Sequence, residues 1–225
     1  MRKILFTVLV TTFSLMHLHA QDWANLEKFA FDNAKVKMMS DENLKVVLMG
    51  NSITEFWPQI SPSYFEKSPF INRGISGQTT PQMLVRFRPD VIDLNPEVVV
   101  ILAGINDVAG NTGPMTIQAI ANNIFSMAEL AMANDIKVVL CTVLPANRFS
   151  WQPDLQPAGK VIALNEKLEK YAIEKEITYL DYYSSMVDEE KGLKLEYGED
   201  GVHPNAEGYR EMERLLDKKL AELME

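Results

Sequence analysis

Val98-Val99-Val100-Ile101-Leu102-Ala103-Gly104-Ile105-Asn106-Asp107 is the stretch whose reading decides the fold. Five aliphatic residues in a row, with no polar alternation, describe a strand buried on both faces. Asn95-Pro96 marks a turn before it, and Gly104 followed by polar residues ends it. A run that stops this way delivers a loop to the carboxyl edge of a parallel sheet, where sites in open α/β sheets form.

The same grammar recurs on either side. Lys45 to Met49 is a β-branched run stopped by Gly50-Asn51-Ser52. Phe70 to Gly74 is a candidate strand followed by the loop Gly74 to Thr80. Ile136 to Val143 is a buried strand ending at Pro145, and Ile177 to Leu180 is a last short one. Between them the spacing predicts helices. One covers 22–39, with Trp23, Leu26, Phe29, Ala30, Val36 and Met39 on one stripe. Others begin at Ile53 (interrupted by Pro58), near Ser61, after Thr79 or Thr80 with Pro81 in the first turn, at Pro114 and at Lys160. A final helix spans Pro204 to Met224. Strands alternating with helices along the whole chain argue for one parallel sheet with helices on both faces. Right-handed crossovers then bring the loops at Asn51-Ser52, Gly74 to Gln78, Ala103 to Asp107 and Pro145 to Trp151 to one rim.

Composition narrows the function classes. The chain has 225 residues, 47% hydrophobic and 24% charged, with a net charge of -9. Residues 1–20 have the form of a secretory signal: Arg2 and Lys3, an apolar run from Ile4 to Met16, and Leu18-His19-Ala20 before Gln21. Its removal leaves 20 basic against 31 acidic side chains, a net charge near -11, and one domain over 21–225. That balance argues against nucleic acid and anionic membrane as partners. The expected product is exported, periplasmic or extracellular, with no membrane span after cleavage. Cys141, the only cysteine, lies in an apolar run and reads as core. No Cys/His cluster calls for a metal and no glycine-rich motif for a nucleotide, so no cofactor is expected. Oligomeric state is left open.

His203 is the only histidine beyond the signal, so any imidazole chemistry falls to it. Asp200, three residues earlier, can orient the ring by fixing its tautomer. Ser52 places a hydroxyl directly after a strand. Gly77 offers a backbone N–H without a Cβ in the way, and Asn106 offers a side-chain amide. A tetrahedral oxyanion needs two or three preplaced donors, here the N–H groups of Ser52 and Gly77 and the Asn106 side chain. Each residue has a plain structural reading too: Ser52 a helix cap, Gly77 a turn glycine, Asn106 a brace with Asp107 capping the next helix, His203 an exposed residue before a helix. Four such residues on four loops of one rim favour the catalytic reading.

Gly50-Asn51-Ser52-Ile53-Thr54, Asn72 to Thr79, Gly104-Ile105-Asn106-Asp107 and Asp200-Gly201-Val202-His203 together resemble the four blocks of the SGNH (GDSL-type) hydrolases. The branch most similar holds bacterial esterases akin to platelet-activating-factor acetylhydrolase, along with carbohydrate deacetylases. The resemblance covers about residues 45–210. It implies a flavodoxin-like α/β/α sandwich with a five-stranded parallel sheet. It makes Ser52 the nucleophile, His203 the base, Asp200 its partner, and Gly77 and Asn106 oxyanion donors. One departure is Asn51, where the family has Asp; Asn caps the following turn equally well.

Trp57, Arg148, Phe149 and Trp151 are candidate substrate-binding residues, with Trp151 a stacking platform for a sugar ring; burial of the loop against the core is the competing reading. Arg73 reads as a solvated charge or a contact for an acidic substrate. The expected activity is release of short acyl groups, acetyl first, from a carbohydrate or similar polar alcohol. A lysophospholipase or acyl thioesterase is the alternative enzyme, and a carbohydrate-binding protein on a hydrolase scaffold the non-enzymatic one.

Overall fold

The computed structural model describes residues 22–38, 46–68 and 70–224. The predicted signal over 1–20, Met39 and Lys45 lie outside the described residues. Five strands form one sheet: β1 (Val46–Gly50), β2 (Phe70–Gly74), β3 (Val98–Leu102), β4 (Lys137–Cys141) and β5 (Thr178–Leu180). Their order is β2-β1-β3-β4-β5, and every pair is parallel. β1 and β3 are buried along their whole length, as continuous aliphatic runs require, while the edge strands β2 and β5 are only partly covered.

Two sets of helices cover the sheet. α4 (Thr80–Asp90), α6 (Ile117–Met132) and α7 (Ala158–Lys175) pack side by side on one face, with α1 (Ala30–Lys37) beside α4. α2 (Ser52–Ile60), with α3 (Pro62–Lys67) after it, and the long α9 (Ala206–Met224) cover the other. This is the flavodoxin-like three-layer α/β/α sandwich. The order places a switch point between β1 and β3. The chain leaves β1 toward one face and β3 toward the other, which opens a crevice above their carboxyl ends.

Local chemistry explains where elements start. Thr79 and Gln82 form a capping box at α4. Thr116, not Pro114, caps α6, accepting from the Ala119 N–H at 3.1 Å. Asn205 caps α9 by accepting from the N–H groups of Glu207 and Gly208, so the helix begins two residues beyond Pro204. The rim segment after β3 winds into a single turn, α5 (Ile105–Val108), and another turn, α8 (Tyr183–Met186), follows β5. Cys141 is buried among aliphatic residues.

Two readings of the sequence are corrected. Pro58 does not interrupt α2. It removes the N–H that would bond the Thr54 carbonyl, and the Asn72 amide takes that carbonyl instead, at 2.5 Å. The predicted helix over 22–39 shrinks to α1. Residues 22–29 form turns because the Trp23 and Ala24 carbonyls accept from the side chains of Gln82 and Gln78, both at 2.7 Å.

Candidate active site

The site assembles over the switch point. Ser52 is the first residue of α2, directly beyond β1, and is 7% exposed. Asn51 caps this helix, its Oδ1 accepting from the Ile53 N–H at 3.1 Å, so the departure from Asp costs no cap. The segment before α9 folds back over the same edge. His203 Nε2 lies 2.9 Å from Ser52 Oγ, and His203 Nδ1 lies 2.6 Å from Asp200 Oδ2. Asp200 Oδ1 accepts from the N–H groups of Val202 and His203 at 2.8 and 2.7 Å. Burial works against the Asp200 charge, but these bonds, with that of the His203 ring, hold its carboxyl below the usual range.

Three side chains fasten α9 to the Ser52 helix and to α3. Tyr209 donates to the Ile53 carbonyl at 2.7 Å, Trp57 to Glu213 at 3.0 Å, and Tyr64 to Asp217 at 2.6 Å. The partners are more than 150 positions apart. Trp57 therefore corrects a sequence reading. It is 2% exposed, packed against Tyr64, Phe65 and Tyr209, and is not available to substrate.

The two remaining loops are bonded to each other beyond the carboxyl ends of β2 and β3. Asn106, 7% exposed in α5, donates one amide hydrogen to the Gln78 carbonyl at 2.9 Å. Asn111 donates to the Gly77 carbonyl at 3.1 Å. Gly77 has φ +76 and a Cβ there would meet nothing within 4 Å, so backbone conformation rather than crowding demands glycine. Asp107 does not cap the next helix in sequence, which Thr116 caps. It accepts from the Thr80 N–H at 2.9 Å and its hydroxyl at 2.6 Å, pinning the start of α4 to α5.

Burial outweighs those Thr80 bonds and pushes the Asp107 carboxyl up from the usual range to about 6. Between about pH 4 and 6 the native protein keeps a proton that the unfolded chain releases, so this group's contribution to stability falls as pH rises, by up to about 3 kcal/mol. Asp107→Asn should remove this slope. In urea unfolding, the variant should gain on the wild type between pH 4 and pH 7; a pH-independent difference would count against the assignment.

A buried polar network that the sequence did not reveal supports these loops. Arg86 is fully buried. It bonds Gln78 Oε1, Asp90, and the carbonyls of Gly50 and Arg73, tying the ends of β1 and β2 to the Gly77 loop. Arg73 is 2% exposed and donates to Asn33, Asp32 and the Asn72 carbonyl. It is neither a solvated charge nor a substrate contact. The signal available in sequence was an arginine at the end of an apolar strand, a position that water does not reach.

Of the loop residues after β4, Phe149 is 1% exposed and belongs to the core, a second correction. Trp151 stacks on it with ring centroids 5.0 Å apart and remains 47% exposed. Arg148 is exposed and its side chain passes over Gly201, within the turn that carries His203.

A parallel sheet of this order, with a Ser–His–Asp chain of hydrogen bonds over its switch point, defines a serine ester hydrolase. The chain belongs to the GDSL-like lipase/acylhydrolase family, whose model matches residues 48–211. It is similar to a GDSL-like lipase from Bacteroides thetaiotaomicron, at 46% identity and TM-score 0.86, covering 89% of this chain and 98% of that one. A Bacteroides fragilis protein with a provisional acylhydrolase name is 47% identical with TM-score 0.88, over 91% of this chain and all of that one. An uncharacterized lipoprotein of Bacillus subtilis is 35% identical over 78 residues, 33% of this chain and 32% of that protein. The match thus spans about a third of that curated relative.

Proposed function

We propose that the protein is an exported esterase that removes short acyl groups, acetyl first, from a carbohydrate or similar polar alcohol, with Ser52 as nucleophile. The observation that carries this reading is the continuous relay Asp200–His203–Ser52, at 2.6 and 2.9 Å. Asp200 accepts a hydrogen bond from Nδ1–H, which leaves Nε2 as the base toward Ser52 Oγ. As the Ser52 hydroxyl proton moves to Nε2, Oγ attacks the ester carbonyl and the carbonyl π pair moves onto oxygen. The N–H groups of Ser52 and Gly77 and the second amide hydrogen of Asn106 receive this oxyanion. Its collapse breaks the C–O bond to the alcohol, which leaves with the proton from His203. Water, deprotonated by the same imidazole, then attacks the acyl-Ser52 ester; the acyl C–Oγ bond breaks, the carboxylic acid leaves and His203 returns its proton to Ser52 Oγ.

Asn106→Ala should lower kcat about 10²–10³-fold, or roughly 3–4 kcal/mol. KM should change little, because the oxyanion exists only beyond the ground state. Steady-state kinetics on p-nitrophenyl acetate separate the two parameters; a raised KM at unchanged kcat would assign Asn106 to ground-state binding instead.

The polar alcohol is supported by the rim. Trp151 offers an aromatic face held flat by Phe149, and Arg148 stands beside the His203 turn. An aromatic face packs on the apolar ring hydrogens of a sugar. The test is acetate release from a panel of acetylated glycans together with a p-nitrophenyl ester series. Activity should peak at the shortest acyl chains. A peak at eight carbons or beyond would instead assign a lysophospholipase or thioesterase. Export rests on the signal-like residues 1–20 and is in keeping with the similarity to a lipoprotein. No described helix is long and apolar enough to cross a membrane.

A further inference from the structure

One charged side chain outside the relay joins the helix that begins at Ser52 to the loop that carries Gly77. Glu55 stands in the first turn of α2, three residues after Ser52. Its Oε2 accepts from the Ser76 N–H at 2.6 Å and from the Ser76 hydroxyl. Its other oxygen pairs with Lys28, from the turns that precede α1. Ser76 is bonded directly to Gly77.

The Glu55 contact bears on the N–H side of Gly77, while Asn111 holds its carbonyl side at 3.1 Å. α2 and the end of β2 touch backbone to backbone: a Cβ on Gly74 would stand 2.2 Å from the Glu55 nitrogen. Beyond Gly74, however, a Cβ on Gly77 would meet nothing within 4 Å. The orientation of Gly77 is set by the Asn111 bond to its carbonyl and by its chain neighbours. Gln78 is held on one side by Arg86, Asn106 and the Ala24 carbonyl. Ser76 is exposed and is held on the other side by Glu55. Burial opposes the Glu55 charge, but the Lys28 and Ser76 bonds hold its carboxyl below the usual range. The acceptor is thus ionised wherever a neutral imidazole could act as base.

We propose that Glu55 is a positioning residue for the oxyanion site: it sets the Gly77 N–H relative to the Ser52 N–H through Ser76, and Lys28 holds its carboxylate in place. This rests on the reading of Ser52 and Gly77 given above. An acidic residue in the first turn of a helix also favours the helix dipole. That role alone would alter Tm and leave kcat untouched, so the two are separable.

The experiment compares Glu55→Ala, Glu55→Gln and Ser76→Ala on p-nitrophenyl acetate, with Ser52→Ala as control. Losing the clamp should lower kcat of Glu55→Ala about 30–100-fold with KM within about twofold, since small displacements of reacting groups cost up to about 10²-fold. Glu55→Gln keeps an oxygen for both Ser76 donors and should retain kcat within about fivefold. Ser76→Ala, at an exposed loop position that should not disturb folding, keeps the N–H donor and should lose about five- to tenfold in kcat. A Glu55→Ala kcat within threefold of wild type, a Glu55→Gln as impaired as Glu55→Ala, or an unchanged Ser76→Ala would overturn the proposal. Wild-type turnover by Ser52→Ala would overturn the nucleophile assignment and this inference with it. Ser52-dependent turnover with an indifferent Glu55→Ala would sink the clamp alone.

Discussion

Ser52→Ala should lower ester turnover about 10⁶-fold, the loss typical of removing a serine nucleophile from an intact relay. The reason is chemical rather than structural. Alanine keeps the backbone N–H and the cap from Asn51, so α2 and one oxyanion donor survive. What disappears is the oxygen that forms the acyl-enzyme, together with the acceptor or donor 2.9 Å from His203 Nε2. The residual rate, about 10³–10⁴ above water, would come from the oxyanion site and substrate binding. Two measurements check it: hydrolysis of p-nitrophenyl acetate and covalent labelling by a fluorophosphonate, which should vanish. A variant that hydrolyses the ester at the wild-type rate would show that another group carries the reaction.

Asp200→Asn should cost about 10⁴-fold in kcat while leaving the fold in place. Asp200 has two jobs that its two oxygens divide. Oδ1 accepts from the N–H groups of Val202 and His203, and an asparagine carbonyl can do the same. Oδ2 faces His203 Nδ1, where asparagine presents an N–H donor. Two donors cannot share one hydrogen bond, so the ring must turn Nδ1 into an acceptor and carry its proton on Nε2. That tautomer points a hydrogen at Ser52 and cannot act as its base. Thermal unfolding and the far-UV spectrum should remain near wild type while kcat falls. A variant with nearly full kcat would mean that the ring is oriented by something other than Asp200. Because Asp200 is held below the usual carboxylate range, its share in the relay is lost only as pH drops below that of an ordinary aspartate.

The loops that bear Ser52, Gly77, Asn106 and His203 were legible because each follows or precedes an element with a strong local pattern. Val98 to Leu102 can only be a buried strand, and the polar residues after Gly104 can only lie beyond its end. The residues that hold those loops apart were not legible. Arg86, Gln78, Asp90 and Asn33 look like ordinary helix and loop polar residues. Their burial and pairing arise from segments up to 57 positions apart. Aromatic residues misled for the same reason. Trp57 and Trp151 both sit next to predicted rim loops, yet one packs between α2 and α9 and the other stays open to solvent.

By itself, the sequence determined the alternation of strands and helices, the four loops on one rim, and the residue types able to perform acyl transfer. These depend on short-range periodicity and on side-chain chemistry, which the order of residues contains directly. Only the tertiary structure decided that Pro58 passes through a helix because Asn72 takes the orphaned carbonyl, and that Arg73 and Arg86 are internal braces. It alone decided that Glu55 reaches Ser76, and that α9 lays His203 over Ser52. Each of these turns on which partner satisfies a buried polar group, and that partner is chosen by packing across the whole chain rather than by its neighbours in sequence.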